Sequence, residues 1–254
     1  MLLRNSILAP LSLIFLAGAI VMMVFVILSG VRGTSPLDDT YFLRADTSGI
    51  TGARDTSQWT YFYVCSPGNV NCGGAWPDPP VGWAWDADAA DVPVGLGGSH
   101  GNNTTSGYYY YLWRFGWVFY LLGFFFTVIT FFMGFLACLG RLGAALSGLA
   151  ALTTLFFFSL AASLMTATFV KMRDAFQAAD RDATIGRYAF GFTWAAWACV
   201  FLSTVLFFLG VLGGREKAPG GAAHAGGRRW GRFGRREKSV RSSVGSHRVK
   251  EDYA

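Results

Sequence analysis

Four long stretches without any charged side chain dominate the sequence and restrict what the chain can fold into. They occupy residues 5–31, 115–140, 142–170 and 188–214, and each has 26 to 29 residues. An α-helix rises about 1.5 Å per residue and the hydrocarbon core of a bilayer is about 30 Å thick, so roughly 20 apolar residues span it. Only 14% of all residues are charged, against roughly a quarter in soluble domains. The sequence therefore predicts four transmembrane helices.

The first stretch is too long for a secretory signal peptide, whose apolar region has roughly 7 to 15 residues, and we interpret it as an uncleaved anchor. The fold class expected is an all-α membrane protein, a four-transmembrane-helix antiparallel bundle. The expected segments are a cytosolic N-terminus with the first helix at 1–31, a loop at 32–111, the second helix at 112–140, a cytosolic turn at 141–143, the third helix at 144–170, a short outer loop at 171–187, the fourth helix at 188–214 and a basic tail at 215–254.

The distribution of charge near the helix ends does not by itself give the orientation. The two soluble segments differ in other ways. The 32–111 loop holds eight Asp against three Arg, whereas the tail holds eleven basic residues against four acidic ones. The loop also contains two cysteines and two overlapping sequons, which make Asn102 and Asn103 candidates for N-glycosylation. We therefore expect the loop outside the cell and both termini in the cytosol.

The two loop cysteines follow a strand-like segment. Residues 59–65, WTYFYVC, are aromatic or β-branched almost throughout and predict one β-strand. The next four residues, SPGN, favour a turn that brings Cys72 back towards Cys65. In an oxidising compartment these thiols should pair, although free thiols or metal ligands are the alternatives. The loop is thus expected to contain a small disulfide-bonded β-hairpin, with Trp76, Trp83 and Trp85 either packed beneath it, which we prefer, or exposed.

The spans offer no chemistry for catalysis or transport. Intramembrane function normally places ionisable residues at mid-depth, and the four stretches contain none. Small residues recur there at four-residue spacing, as at Ala144 and Gly148, and allow helices to approach closely. The loop acids Asp86, Asp88 and Asp91 lack the spacing of a calcium loop. We expect no enzyme activity, no metal site and no cofactor.

The tail combines basic and aromatic residues, and its 40 residues carry a formal charge of +7, from eleven basic and four acidic side chains. Each Lys or Arg near an anionic leaflet contributes about 1 kcal/mol to binding, so lipid is favoured over nucleic acid as partner. The expected lipid-binding residues are Arg228, Arg229, Trp230, Arg232, Phe233, Arg235 and Arg236. Phosphorylation at Ser239, Ser242, Ser243 and Ser246 would reduce the charge.

Several stretches together resemble the fungal Sur-seven/PalI family of eisosomal tetraspan proteins, especially its Sur-seven branch. The loop carries Pro36 and Leu37 followed by DDTYFLRADTSGI, then QWTYFYVC and NC, so that its motif residues are Trp59, Thr60, Cys65 and Cys72. The resemblance continues through YYYYLWRFGWVFYLLGFFF, LGRLGAALSGLAAL, LMTATFVKMRDAF and RYAFGFTWAAWACVFLSTVLFF, from about residue 6 to residue 213. It implies a claudin-like loop, although FYV at residues 62–64 replaces the Gly-Leu-Trp triplet of claudins.

The resemblance implies a non-enzymatic organiser of a fungal plasma-membrane domain that forms cortical patches. Its expected partners are anionic inner-leaflet lipids, sterol-rich domains, other eisosomal membrane or cortical proteins, and further copies of itself in a homo-oligomer. One alternative is a PalI-like subunit that assists ambient-pH signalling. A small-solute channel or transporter is the other alternative.

Overall fold

Four long helices form the body of the molecule in the computed structural model, which describes residues 2–213 and the side chains of residues 7–212. They are α1 (Leu2–Ile27), α2 (Gly107–Ala137), α3 (Arg141–Ala178) and α4 (Arg187–Gly213). Within this described part of the chain, the four helices are long and apolar enough to cross a membrane. The predicted four-helix membrane fold is confirmed.

The ends of the helices do not coincide with the charged residues that bound the four uncharged stretches. The turn expected at 141–143 lies at residues 138–140, because Arg141 is already the first residue of α3. Helix α2 begins five residues before the expected 112, and α3 continues eight residues past the expected 170. A charge marks where a chain leaves hydrocarbon, whereas a helix can continue into the aqueous phase with all its hydrogen bonds intact.

The bundle is held together by α3, which packs against α2 and α4 and also contacts the strands β1 (Leu43–Asp46) and β4 (Ala183–Ile185). Small side chains on α3 allow the close approach, and Ala151 and Ser147 are fully buried. Large side chains fill the interior between the helices, and none of them is exposed to any measurable extent: Leu16, Met23, Tyr120, Phe158 and Met165. The bundle interior is therefore packed rather than open.

A four-stranded antiparallel sheet lies at one end of the bundle, in the order β3-β2-β1-β4. Strand β2 is Thr56–Trp59 and strand β3 is Val64–Cys65. The single strand predicted at residues 59–65 is wrong, because the chain turns between these two strands. The amide of Thr60 donates to the carbonyl of Tyr63 at 2.9 Å, and the Thr60 hydroxyl donates to the same oxygen at 3.1 Å. These local bonds stabilise a turn within an aromatic segment that otherwise favours a strand.

Strand β4 comes from the short connection between α3 and α4, so the sheet includes both loops at this end. The Asp46 amide donates to the Asp182 carbonyl at 2.8 Å, and the Gly186 amide donates to the Phe42 carbonyl at 3.0 Å. A Cβ atom at Gly186 would overlap the carbonyl of Tyr41, so only glycine fits where β4 leads into α4. The sheet is thus larger than the hairpin expected from the sequence.

Candidate functional site

The loop module, which we define as residues 28–106 together with β4, contains Cys65, Cys72 and the other predicted site residues that the structure describes. The predicted bond between Cys65 and Cys72 is present and closes a loop with a sequence separation of 7. Inside that loop the Ser66 amide donates to the Val70 carbonyl at 2.9 Å, which forms the turn expected at SPGN. The disulfide prediction is confirmed, and the alternatives of free thiols or metal ligands are excluded for this pair.

The disulfide lies directly beside the chain that leaves α1. Gly30 has φ +84°, and a Cβ atom there would lie 2.6 Å from the Thr60 hydroxyl oxygen and 3.4 Å from the Cys65 sulfur. A side chain at this position would therefore meet both steric overlap and backbone strain. The end of the first helix and the disulfide-bonded hairpin can approach this closely only through a glycine.

The motif residue Trp59 is a core residue of the module. Only 3% of its surface is exposed, and its indole N–H donates to the Val81 carbonyl at 2.8 Å. Its ring packs against Trp85 and against Phe176 near the end of α3, with ring centroids 6.5 and 5.8 Å away. Trp59 therefore joins the sheet to the third helix. This position makes it a structural residue of the module.

A chain of buried polar side chains connects the strands to the preceding loop, and the sequence pattern did not indicate it. Arg44 donates to the Gln58 side-chain oxygen at 3.2 Å, and the Gln58 amide donates to the Asn69 side-chain oxygen at 3.0 Å. The Asn69 amide then donates to the carbonyls of Leu37 and Thr40, at 2.5 and 3.0 Å. Gln58 and Asn69 are buried, and each bond satisfies a group that would otherwise be costly to bury.

Tyr61 attaches the module to the bundle. Its hydroxyl donates to the Trp117 carbonyl at 2.8 Å, while the Trp117 indole donates back to the Tyr61 carbonyl at 3.2 Å. Its backbone amide also bonds the Ser29 hydroxyl at the end of α1, at 3.2 Å. Burial raises the pKa of Tyr61 well above its usual range, so the phenol stays neutral and can donate. Tyr61 thus connects the turn to α2 through its side chain and to the chain that leaves α1 through its backbone amide.

A second attachment involves the half-buried ion pair between Asp78 and Arg114 of α2. The Arg114 guanidinium also lies over the Tyr110 ring, 4.3 Å from its centroid. Burial raises the pKa of Asp78, and the neighbouring Arg114 opposes that rise without cancelling it. One residue further, the Pro79 carbonyl accepts the Trp113 indole N–H at 3.0 Å. The segment before the short 3₁₀ helix (Val81–Ala84) is therefore held against α2 at two successive residues.

The three loop tryptophans do not share one environment, so the preferred interpretation that all pack beneath the hairpin is wrong for two of them. Trp85 is buried, and its indole donates to the Thr104 carbonyl at 3.0 Å. Trp76 and Trp83 are exposed over 52% and 36% of their surfaces. Their rings lie against each other with centroids 5.3 Å apart. Trp83 lies within the short 3₁₀ helix, whereas Trp85 follows that helix in an extended conformation, so the two indoles lie in different surroundings.

The two sequon asparagines lie in a turn just before α2. Asn102 and Asn103 are exposed and both have φ near +60°, a conformation that asparagine tolerates. The Asn103 amide is 3.4 Å from a carboxylate oxygen of Asp88. Both side chains lie on the surface of the module, and their glycosylation stays a prediction.

The residues expected in the tail lie outside the described part of the chain. This applies to the predicted lipid-binding set and to the four serines. Within residues 2–213 no group of three or more His, Cys, Asp or Glu side chains is arranged to hold a metal ion. The functional features that the structure does describe are thus a cross-linked, aromatic loop module and its attachment to α1, α2 and α3.

Comparison with known proteins gives a consistent result. The sequence profile of the SUR7/PalI family matches residues 8–206. "Protein SUR7" of Candida albicans is 35% identical over 211 residues, which cover 81% of this chain and 75% of that protein. "SUR7 family protein FMP45" of Saccharomyces cerevisiae is 34% identical over 75% of this chain and 65% of its own length. An uncharacterized plasma membrane protein of the same yeast is 33% identical over 76% of this chain and 64% of its own length.

Proposed function

Because the chain belongs to the SUR7/PalI family, we propose that it is a non-enzymatic structural organiser of a plasma-membrane domain of the eisosome type. The plasma-membrane assignment is supported by one relative that is named as a plasma membrane protein. Both termini are proposed to lie in the cytosol and the loop module outside, as the disulfide requires an oxidising compartment.

The observation that carries this proposal is that the loop module is attached to the helix bundle at several separate points. Strands from both loops share one sheet, and separate contacts through Gly30, Tyr61 and Asp78 attach that sheet to α1 and α2. A body built in this way presents a fixed outer surface on a fixed set of helices. Such rigidity suits a protein that acts by lateral packing and by contacts with lipids and other proteins.

The interior of the bundle argues against the channel or transporter alternative. Tyr120 of α2, Phe158 and Met165 of α3, and Phe207 of α4 fill it, each with at most 2% of its surface exposed. Polar contacts there are short helix-to-helix bonds, such as the 2.8 Å bond between the hydroxyls of Thr130 and Thr154. Transport pathways are lined by ionisable groups or water-filled cavities, and the described residues offer neither at this depth.

The basic tail supplies the proposed second mode of action at the cytosolic face. Its charge of +7, from eleven basic and four acidic residues, favours the anionic inner leaflet. Trp230 and Phe233 can enter the interface beside the arginines. Cortical proteins, other membrane proteins of the same domain and further copies of this chain are the proposed protein partners.

Fluorescence microscopy of the tagged full-length chain at native expression level tests the organiser proposal. We expect static patches at the cell cortex with slow recovery after photobleaching. Cys72→Ser should reduce the patch signal because it opens the disulfide, and Val94→Ala, a change at a side chain that is 97% exposed, should leave it unchanged. A uniform, rapidly recovering signal would contradict the proposal, and a deletion strain that fails to grow at alkaline pH would favour the PalI-like role.

A further inference from the structure

Two of the described tryptophans differ from the others in the hydrogen bonding of their indole N–H groups. Six of the eight described tryptophans donate their indole N–H to an acceptor within the protein: Trp59, Trp85, Trp113, Trp117, Trp194 and Trp197. Trp76 and Trp83 have no acceptor among the described residues, and both are exposed. A tryptophan offers a large apolar face and one polar donor, and in this pair the donors and the exposed parts of the two faces are available to a ligand.

The local backbone holds this pair in place. The Trp76 amide donates to the Phe62 carbonyl at 3.1 Å, and the Trp83 amide donates to the Pro80 carbonyl at 3.0 Å. Between them, the Gly82 amide donates to the Thr105 hydroxyl at 2.9 Å, where a Cβ atom would overlap the Thr104 carbonyl. The exposed rings therefore stand on a fixed backbone, and binding there needs little ordering of the chain.

A polar cleft of about 130 Å³ lies beside the Trp83 ring. Since a single water needs only about 10 to 15 Å³, the cleft has room for a small polar ring. Gly73 and Gly74 form part of its wall, and the Arg54 side chain lines it. Arg54 uses one N–H to bond the Val64 carbonyl at 3.0 Å, which leaves its other donors available. The Asp86 carboxylate lies over Gly52, which also lines the cleft.

We propose that Trp76, Trp83 and the adjoining cleft form a binding site for a neutral pyranose sugar. A pyranose has an apolar C–H face that can lie on an indole ring and hydroxyls at its edge that both donate and accept hydrogen bonds. The site offers both partners: aromatic faces, the donors of Arg54 and the two indoles, and the Asp86 carboxylate against Gly52 at the cleft wall as an acceptor. An anionic ligand fits less well, because the Asp86 carboxylate lies against Gly52 in the wall of the cleft and would repel it.

The same sugar chemistry can come from two sources. One is a glycan outside the cell, and the other is the headgroup of a glycolipid in the adjacent leaflet. Both present a neutral hexose to an exposed aromatic pair. A simple membrane anchor is a different role for exposed tryptophans, because indoles favour the level of lipid headgroups. The polar cleft beside Trp83 favours the sugar, since a sugar hydroxyl can donate to the Asp86 carboxylate, whereas phosphatidylcholine has acceptor oxygens but no hydrogen-bond donor.

The test uses the full-length protein in phosphatidylcholine nanodiscs. One arm adds gluco- and manno-oligosaccharides of about six units in solution, and the other adds glucosylceramide to the nanodisc. Binding is measured by saturation-transfer NMR for the soluble sugars and by indole fluorescence for both arms. We expect saturable binding in at least one arm, and the responding arm identifies the source.

Variants separate the stacking face from the hydrogen-bond donors. Trp83→Ala should weaken binding at least tenfold, whereas Trp83→Phe keeps a ring and should weaken it less. Arg54→Gln should weaken it without touching the aromatic pair. Tyr111→Ala is the matched control, because this aromatic side chain is 51% exposed at the same end of the molecule. Resistance of Cys65 and Cys72 to alkylation verifies that each variant keeps the folded module.

Three results would overturn the proposal. The first is no response to any sugar at millimolar concentration in either arm. The second is equal weakening by Trp83→Ala and Tyr111→Ala. The third combines the absence of any sugar response with a change in indole fluorescence when the protein moves from detergent to plain phosphatidylcholine nanodiscs. If Trp76→Ala and Trp83→Ala abolish that change, the pair is a membrane anchor.

Discussion

Replacing Asn69 by Ala should release the hairpin from the rest of the loop module. The Asn69 side chain makes three hydrogen bonds, to Leu37, Thr40 and Gln58. A typical bond contributes about 1 kcal/mol net, and a buried group left without its partner costs about 1 to 3 kcal/mol. The loss should therefore be about 3 kcal/mol in the free energy of local opening, beyond any change in backbone preference.

Asn71 provides a control for that backbone preference. Both asparagines have positive φ, 51° at Asn69 and 48° at Asn71, so alanine meets a similar left-handed penalty at either position. Asn71 is exposed, however, and its side chain makes no hydrogen bond within the described part of the chain. The difference between Asn69→Ala and Asn71→Ala therefore isolates the three hydrogen bonds.

Hydrogen exchange of the full-length protein in nanodiscs measures local opening directly. Amides of residues 56–65 should exchange about a hundredfold faster in Asn69→Ala than in Asn71→Ala, since each 1.4 kcal/mol is a factor of ten. Asn69→Asp should be at least as damaging at neutral pH, because a carboxylate oxygen would face two carbonyl oxygens. Acidification should partly restore this variant by returning one donor. Equal exchange in the two alanine variants would refute the assigned role of the polar chain.

Three further perturbations address other parts of the molecule. Cys65→Ser or Cys72→Ser should expose the remaining thiol to impermeant alkylating reagents. Either change should also lower surface abundance, because a disulfide typically contributes about 2 to 4 kcal/mol to the stability of the folded protein. Alkylation of both thiols in the unmodified protein would contradict the bond. Changing Arg228, Arg229, Arg232, Arg235 and Arg236 to Gln should remove most binding of a tail peptide to phosphatidylserine vesicles and most of its salt sensitivity, and equal binding by both peptides would leave the tail as a spacer. The raised pKa of Asp78 means that the folded state binds its proton more readily than the unfolded state, so its contribution to stability should fall as pH rises from the ordinary 3.8 through the raised value. Asp78→Asn should abolish that slope in thermal unfolding, and an unchanged slope would show that other groups cause it.

The helices and the disulfide were predictable because each leaves a local pattern. A lipid-spanning helix must be apolar over its whole length, and Cys65 and Cys72 flank a turn sequence. Strand β4 leaves no such pattern, since it has three residues and its partner β1 lies about 140 residues earlier in the chain. The turn at Thr60–Tyr63 could not be predicted from the sequence, because its aromatic residues favour a strand. The role of Tyr61 in this turn depends on its tertiary contact with α2.

The candidate site could be predicted only in part, for a similar physical reason. Composition places Trp76, Trp83 and Trp85 in one proline-rich segment and gives no basis for separating them. Their environments differ because the backbone around Gly82 lies against Thr104 and Thr105, which are some 20 residues away in sequence. Burial of one indole and exposure of two others therefore depend on a contact between distant parts of the loop.

The pairing of β1 with β4 has a consequence for biosynthesis. Strands β1 to β3 leave the ribosome more than 100 residues before β4, an interval of about 6 to 25 s at typical elongation rates of about 5 to 20 residues per second. Until then one edge of β1 has no partner, and an open strand edge invites pairing with other chains. The sheet can therefore be completed only after the first three helices have been inserted in the correct order.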